Sequence, residues 1–131
     1  MEKQDTTILN FATTNFFRCS PETTVDRARN QFRGAAKSMD VVMYFYIVNE
    51  ADKLLGVIDI KEVFVAQDTE RLKELMTENV ISLHKDATMK QAADMFLRYG
   101  FRALPITEEN GTIVGVVPYR DVLNLKHRIL E

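Results

Sequence analysis

Few side chains in this 131-residue sequence combine a reactive type with a productive spacing. Asp59 and Glu62 stand three apart, and Pro118 and Asp121 repeat that spacing further on. Such pairs suit the start of a helix, where Asp caps backbone N–H groups, Glu complements the positive end of the dipole and Pro fits the first turn. A carboxylate at that point can equally accept hydrogen bonds from a ligand, and both readings stay open. Glu50, Asp52, Asp59 and Glu62 could together attract a divalent cation, but their spacing matches no EF-hand loop. His84 and His127 lie far apart without Cys or His at ligand spacing, which argues against zinc. Cys19 has no His partner nearby and reads as a buried strand residue. Phe16, Phe17, Tyr44, Phe45 and Tyr46 read as core and dimer contact, with a wall for a stacked ring as the other reading. The sequence has no G-x-x-x-x-G-K, G-x-G-x-x-G or G-x-S-x-G, so the standard kinase, nucleotide-hydrolase and esterase signatures are absent.

The elements that must position these residues occur twice. A shift of 64 lays residues 11–32 over 75–96 and matches Thr13 with Thr77, Asn15 with Asn79, Thr24 with Thr88, Ala28 with Ala92 and Phe32 with Phe96. Past a short insertion the shift becomes 59, and it matches Ile47 with Ile106, Glu50 with Glu109, Gly56 with Gly115, Val57 with Val116 and Val63 with Val122. Each half begins with a polar turn and then a helix with apolar residues at i, i+3 and i+7: Val25, Ala28 and Phe32, then Met89, Ala92 and Phe96. Thr88 and Gln91 have capping-box spacing, and Thr24 is an N-cap without that partner. Strands are predicted at 44–48 and 54–58 in the first half, and at 103–107 and 112–117 in the second. The Asn110-Gly111 pair favours a tight turn between the latter two. Closing helices are predicted over 60–66 and 119–128, with a connecting helix over 68–76.

The order β-α-β-β-α, twice, predicts an α/β (α+β) fold of two repeats with small sheets covered by helices. Repeat 1 spans about 8–66 and repeat 2 about 75–128, within one module over 1–131. A unit of about 60 residues buries too little surface to be comfortable alone, so the copies should pack together, with pseudo-twofold symmetry and clefts between them.

Composition bounds the rest. The chain is 46% hydrophobic and 27% charged with 5 Gly and 3 Pro, which excludes fibrous and disordered classes. A net charge of −2 offers no footprint for binding a nucleic-acid polymer. The single cysteine cannot close an internal disulfide, which favours a reducing compartment. The longest apolar run, residues 41–48, is far short of the ~20 residues of a spanning helix. The first five residues lack the basic-then-apolar order of a signal peptide. The expectation is a cytoplasmic chain with no direct membrane insertion.

The repeated series resembles the cystathionine-β-synthase (CBS) domain, which occurs as a tandem pair, or Bateman module. The resemblance rests on Met76 to Leu83, on Phe101-Arg102-Ala103-Leu104-Pro105-Ile106, on Ile113-Val114-Gly115-Val116-Val117 and on Asp121-Val122-Leu123. In the first copy, Tyr44 to Val48 and Leu55-Gly56-Val57-Ile58 sit in register. The Tyr-rich first copy is further similar to the cytosolic CBS pair of bacterial magnesium transporters. The resemblance implies a regulatory, non-catalytic module that binds an adenosine-containing ligand between its repeats, forms a homodimer and signals to an effector. It implies no required cofactor, an adenine nucleotide or nucleoside as ligand, and Mg as a further possibility. The other readings are a ligand-free dimerisation module and a divalent-cation sensor of a transporter.

Carried over residue by residue, the resemblance marks Asn79, Ile81, Ala103, Leu104, Pro105 and Asp121 in the second copy, with Asp121 on the ribose hydroxyls. It marks Asn15, Phe17, Tyr46, Asp59 and Glu62 as a weaker first-copy set. The family's hydroxyl position is occupied by Pro118, which has neither hydroxyl nor N–H to hold a phosphate. Arg102, Arg120 and Lys126 could supply charge there, if they face the ligand. In the first copy that position is Asp59, and two acids would disfavour a bare nucleotide. An uncharged nucleoside, a divalent cation or no ligand fits the first copy better.

Overall fold

Thr24 and Thr88 set the first helix of each repeat. The Thr24 hydroxyl accepts from the Arg27 N–H at the start of α1 (Val25–Ala35). Thr88 and Gln91 form the expected reciprocal box at the start of α4 (Met89–Tyr99). The computed structural model describes residues 7–122, and these fall into two compact units.

The first-repeat unit, residues 15–80, contains a three-stranded sheet in the order β1-β2-β3, formed by β1 (Phe16–Cys19), β2 (Val41–Val48) and β3 (Leu54–Asp59). β1 runs parallel to β2, and β3 antiparallel. The second-repeat unit has the same sheet from β4 (Leu83–His84), β5 (Ala103–Thr107) and β6 (Ile113–Pro118). The registers coincide under the sequence offset. Tyr46 pairs with Val57 as Pro105 pairs with Val116, and Ile47 with Gly56 as Ile106 with Gly115. Both hairpins close through one residue at positive φ, Asp52 at 66° and Gly111 at 92°, while Asn110 keeps a negative φ. Arg18 pairs with the Asp52 carboxylate at 2.6 Å.

In each unit one sheet face carries the core. Phe17, Cys19, Phe45, Ile47 and Ile58 pack with Val25, Ala28 and Phe32 of α1 and Val63 of α2 (Ile60–Val65). Leu83, Leu104, Ile106 and Val117 pack with Ala92 and Phe96 of α4. Strand alternation puts Phe16, Tyr44 and Tyr46 on the first sheet's opposite face, where the Phe16 and Tyr46 rings meet edge to face at 5.4 Å. The two units are thus α/β, two small sheets with covering helices.

Each unit takes its last piece from the other repeat. Residues 7–13 belong to the second-repeat unit: Ile8 is fully buried, its N–H donates to the Ala87 carbonyl, and Thr13 exchanges two backbone hydrogen bonds with Val116. In the first-repeat unit Leu72 is fully buried, its N–H donates to Thr23, and Thr77 exchanges two bonds with Val57. Gly56 and Gly115 lie where these pieces approach. A Cβ on Gly56 would stand 2.6 Å from the Met76 sulfur, and one on Gly115 would stand 3.1 Å from Ala12 Cβ.

The connector differs from the continuous helix expected over 68–76. The helix is α3, Leu72–Leu75, only four residues long. The carbonyls of Asp68 and Glu70 accept from the first-turn N–H groups of Asp26 and Val25, and Arg71 is extended. Those first-turn N–H groups have no partner inside α1, and supplying them draws this stretch out of helical geometry. In the second repeat, residues 119–122 are helical and the remainder of the helix expected over 119–128 lies outside the described residues, as do Lys126 and His127.

Candidate functional site

Three of the marked residues, Asp59, Glu62 and Asp121, lie where the last strand of a sheet enters its closing helix. In the first repeat β3 ends at Asp59, whose backbone is extended and whose carboxylate accepts the Lys61 N–H at 2.9 Å. Asp59 is therefore the N-cap of α2. Glu62 lies in the first turn, exposed, near the positive helix end. In the second repeat β6 ends at Pro118, buried and paired with Ala103. The first N–H beyond it, on Tyr119, donates to the Arg102 carbonyl at 2.9 Å. Asp121 follows, half-buried, and Val122 is buried in the core.

The remaining second-copy residues divide by face and by unit. Leu104 points into the core with Ile106, so its side chain serves packing. Ala103 and Pro105 alternate onto the opposite face, both buried. Ile81 is half-buried against the second-repeat core. Asn79 is exposed and belongs to the first-repeat unit, whereas Ile81, Ala103, Leu104, Pro105 and Asp121 belong to the second.

All five first-copy residues fall within residues 15–80. The Asn15 amide donates to the Ser38 carbonyl. Phe17 lies in the core between Phe32 and Phe45, with ring centroids at 5.5 and 4.6 Å, so its ring is enclosed by packing and does not form an open wall. Tyr46 is fully buried, and its hydroxyl has no hydrogen-bond partner among the described residues. Burial, with the neighbouring Tyr44 second, pushes that phenol well above its usual range.

Sequence reasoning missed three surface grooves. One of about 540 Å³ runs beside β4 and α4, lined by Ser82, His84, Asp86, Gln91, Asp94 and Arg98 among others. Another, about 600 Å³, lies between the ends of β1 and β2 around Cys19, Pro21 and Asn49. A third, about 350 Å³, lies around Thr24, Arg27 and Arg71. None of the residues expected to bind ligand lines these grooves. The first and third arise where strand ends meet the first helix of a repeat and the second where two strand ends lie side by side, juxtapositions with no local sequence signal. Among the described residues no three His, Cys, Asp or Glu side chains cluster so as to hold a metal ion. No helix among them is long and apolar enough to cross a membrane.

Comparison with known proteins adds a family to this geometry. The model of the CBS domain matches residues 8–68 and again 72–128. A magnesium transporter, MgtE of Thermus thermophilus, is 31% identical over 102 residues, which is 78% of this chain and 23% of the transporter. The chain thus spans about a quarter of the length of the curated transporters that it matches. The crystal structure of the cytosolic domain of the Mg2+ channel MgtE in complex with ATP superposes with a TM-score of 0.85 at 29% identity, covering 88% of this chain and 46% of that one. The CBS domain pair of protein MJ0100, in complex with 5'-methylthioadenosine and S-adenosyl-L-methionine, superposes at 0.76 with 22% identity, over 93% of this chain and 96% of that one.

Proposed function

Because this chain belongs to the CBS domain family, we propose that it is a regulatory module, without catalytic activity of its own, that binds an adenosine-containing ligand where each sheet enters its closing helix. The observation that carries this reading is the likeness, at 29% identity over 88% of the chain, to a cytosolic domain in complex with ATP. Asp121 is the group we assign to the ribose, since a half-buried carboxylate can accept from two vicinal hydroxyls. Ala103 and Pro105 supply the apolar wall for the adenine, and Ile81 its apolar flank. In the first repeat Asn15, Tyr46 and Glu62 are the corresponding set. Residues 1–131 act as one tandem module, a cytoplasmic homodimer, and transmit occupancy to an effector in a longer chain or a separate protein. The mechanism is differential affinity: the ligand binds one arrangement more tightly and raises its population.

Thermal melts with adenosine, AMP, ATP, S-adenosylmethionine and Mg²⁺ test the reading. A true ligand at about 100-fold its Kd raises Tm by several degrees. Asp121→Ala should remove most of the shift that depends on the second repeat. A shift undiminished in that variant would place the ligand elsewhere. The commitment of Asp59 to capping, together with Pro118, favours a second reading, a dimerisation module that takes no ligand. Flat melts across the whole panel would select it.

A further inference from the structure

We infer that the groove beside β4 and α4 is a docking site for a partner protein, and that it takes an arginine presented on an extended, partly apolar segment. The first repeat shows how such a groove is served. Its own groove, around Thr24, Arg27 and Arg71, lies at the same place in the repeat. Under the offset of 64, Glu22 becomes Asp86, Thr23 becomes Ala87 and Gln31 becomes Met95 in the two linings. There the chain supplies the cation itself. Arg71 has extended backbone bridged to Thr24, donates to the Glu22 carbonyl at 2.6 Å and stands 3.9 Å from the Glu22 carboxylate. Lys73 reaches the same carboxylate at 3.4 Å.

The second repeat keeps the acid and lacks those cations. The equivalent bridge joins Thr88 to Thr7, so Thr7 stands where Arg71 does and Leu9 where Lys73 does. Asp86 is exposed, and α4 adds a second exposed carboxylate, Asp94, where the first repeat has Asn30. His84 does not neutralise Asp86. Its Nδ1 lies 3.6 Å from that carboxylate but accepts the Asp86 N–H at 3.1 Å, and an accepting nitrogen has no proton to share. Asp94 and Arg98, one turn apart on α4, form no ion pair with each other among the described residues. The groove is also the roomier of the two, about 540 Å³ against about 350 Å³. A guanidinium suits it better than an ammonium, because a planar fork of donors can serve a carboxylate and a carbonyl together. Leu83, Ala87 and Met95 receive the apolar neighbours of that arginine, and Arg98 donates to a carbonyl of the incoming segment.

The test is amide NMR of the full chain titrated with a blocked hexapeptide, Gly-Leu-Ala-Arg-Leu-Gly. A second peptide carries citrulline in place of arginine, which keeps the shape and removes the charge. The arginine peptide should move amides across 84–98 and leave 20–31 in place, since Arg71 already serves the first groove. Citrulline in the peptide, or Asp86→Asn in the chain, should weaken binding about threefold or more, and added salt should do the same. Thr7→Arg, which rebuilds the first-repeat arrangement, should abolish binding while the rest of the spectrum stays native. Equal binding of the two peptides, no binding of the arginine peptide at millimolar concentration, or binding unchanged in both variants overturns the inference. Shifts across 84–98 that grow with protein concentration, without peptide, would make a second copy of this chain the occupant and overturn the assignment to a partner.

Discussion

Cys19 and Arg29 illustrate how single residues in the first repeat acquire their properties from packing. The Cys19 thiol lies in the core beneath α1, and burial pushes it from 9.0 up to about 12. The folded chain therefore keeps the thiol protonated where an unfolded chain would ionise it. That contribution to stability is complete below about pH 9 and is lost as pH rises from there toward 12. At pH 8 a thiol reagent should modify Cys19 no faster than the chain unfolds, and rapid labelling of native protein would contradict this burial. Arg29, with its side chain 14% exposed, donates to the Val63, Phe64 and Ala66 carbonyls at the end of α2 and to the Asp68 carboxylate. It thus ties the last turn of α2 to α1, supplying donors to carbonyls that have no partner within so short a helix. Its counterpart under the 64-residue offset is Ala93, so this tie belongs to the first repeat alone.

At the scale of elements, the two repeats share strand registers and differ at the start of their closing helices. They also share an extra strand residue bridged to the last strand, Thr77 on Val57 and Thr13 on Val116. Close approach there requires a residue without a side chain at Gly56 and Gly115. Gly56→Ala should destabilise the chain by about 1–3 kcal/mol, because the new methyl would lie within 2.9 Å of three Met76 side-chain atoms. Adding Met76→Ala should recover part of that loss, since the second repeat already pairs its glycine with Ala12. Urea denaturation of the two single variants and the double variant measures the coupling, and strict additivity would show that Gly56 and Met76 do not meet. The grooves beside α1 and α4 also belong to this scale, since they depend on where strand ends and helices meet and no single residue announces them.

At the scale of the whole molecule, the first-repeat unit is contiguous in sequence and the second is not, because residues 7–13 complete the latter. Deleting residues 1–14 should weaken the second-repeat unit selectively. It removes fully buried Ile8, worth about 1.5–3 kcal/mol, and the hydrogen bonds of Thr13. Amide hydrogen exchange should then show faster exchange across 103–118 with protection across 44–59 retained, and equal loss in both would refute the assignment. The sequence by itself determined the duplication, the capped first helices and the paired strands, because these follow from side-chain periodicity and turn chemistry within a few residues, and its motifs carried the resemblance to the family. It also showed that Pro118 cannot hold an anion, a property of the residue type alone. Only tertiary structure decided that Asp59 caps a helix, that Phe17 and Leu104 point into the cores, and that residues 68–71 are not helical. It alone decided that each leading segment completes the sheet of the other repeat. Those outcomes depend on which distant backbone groups need a partner, and local pattern carries no record of a hydrogen bond made tens of residues away.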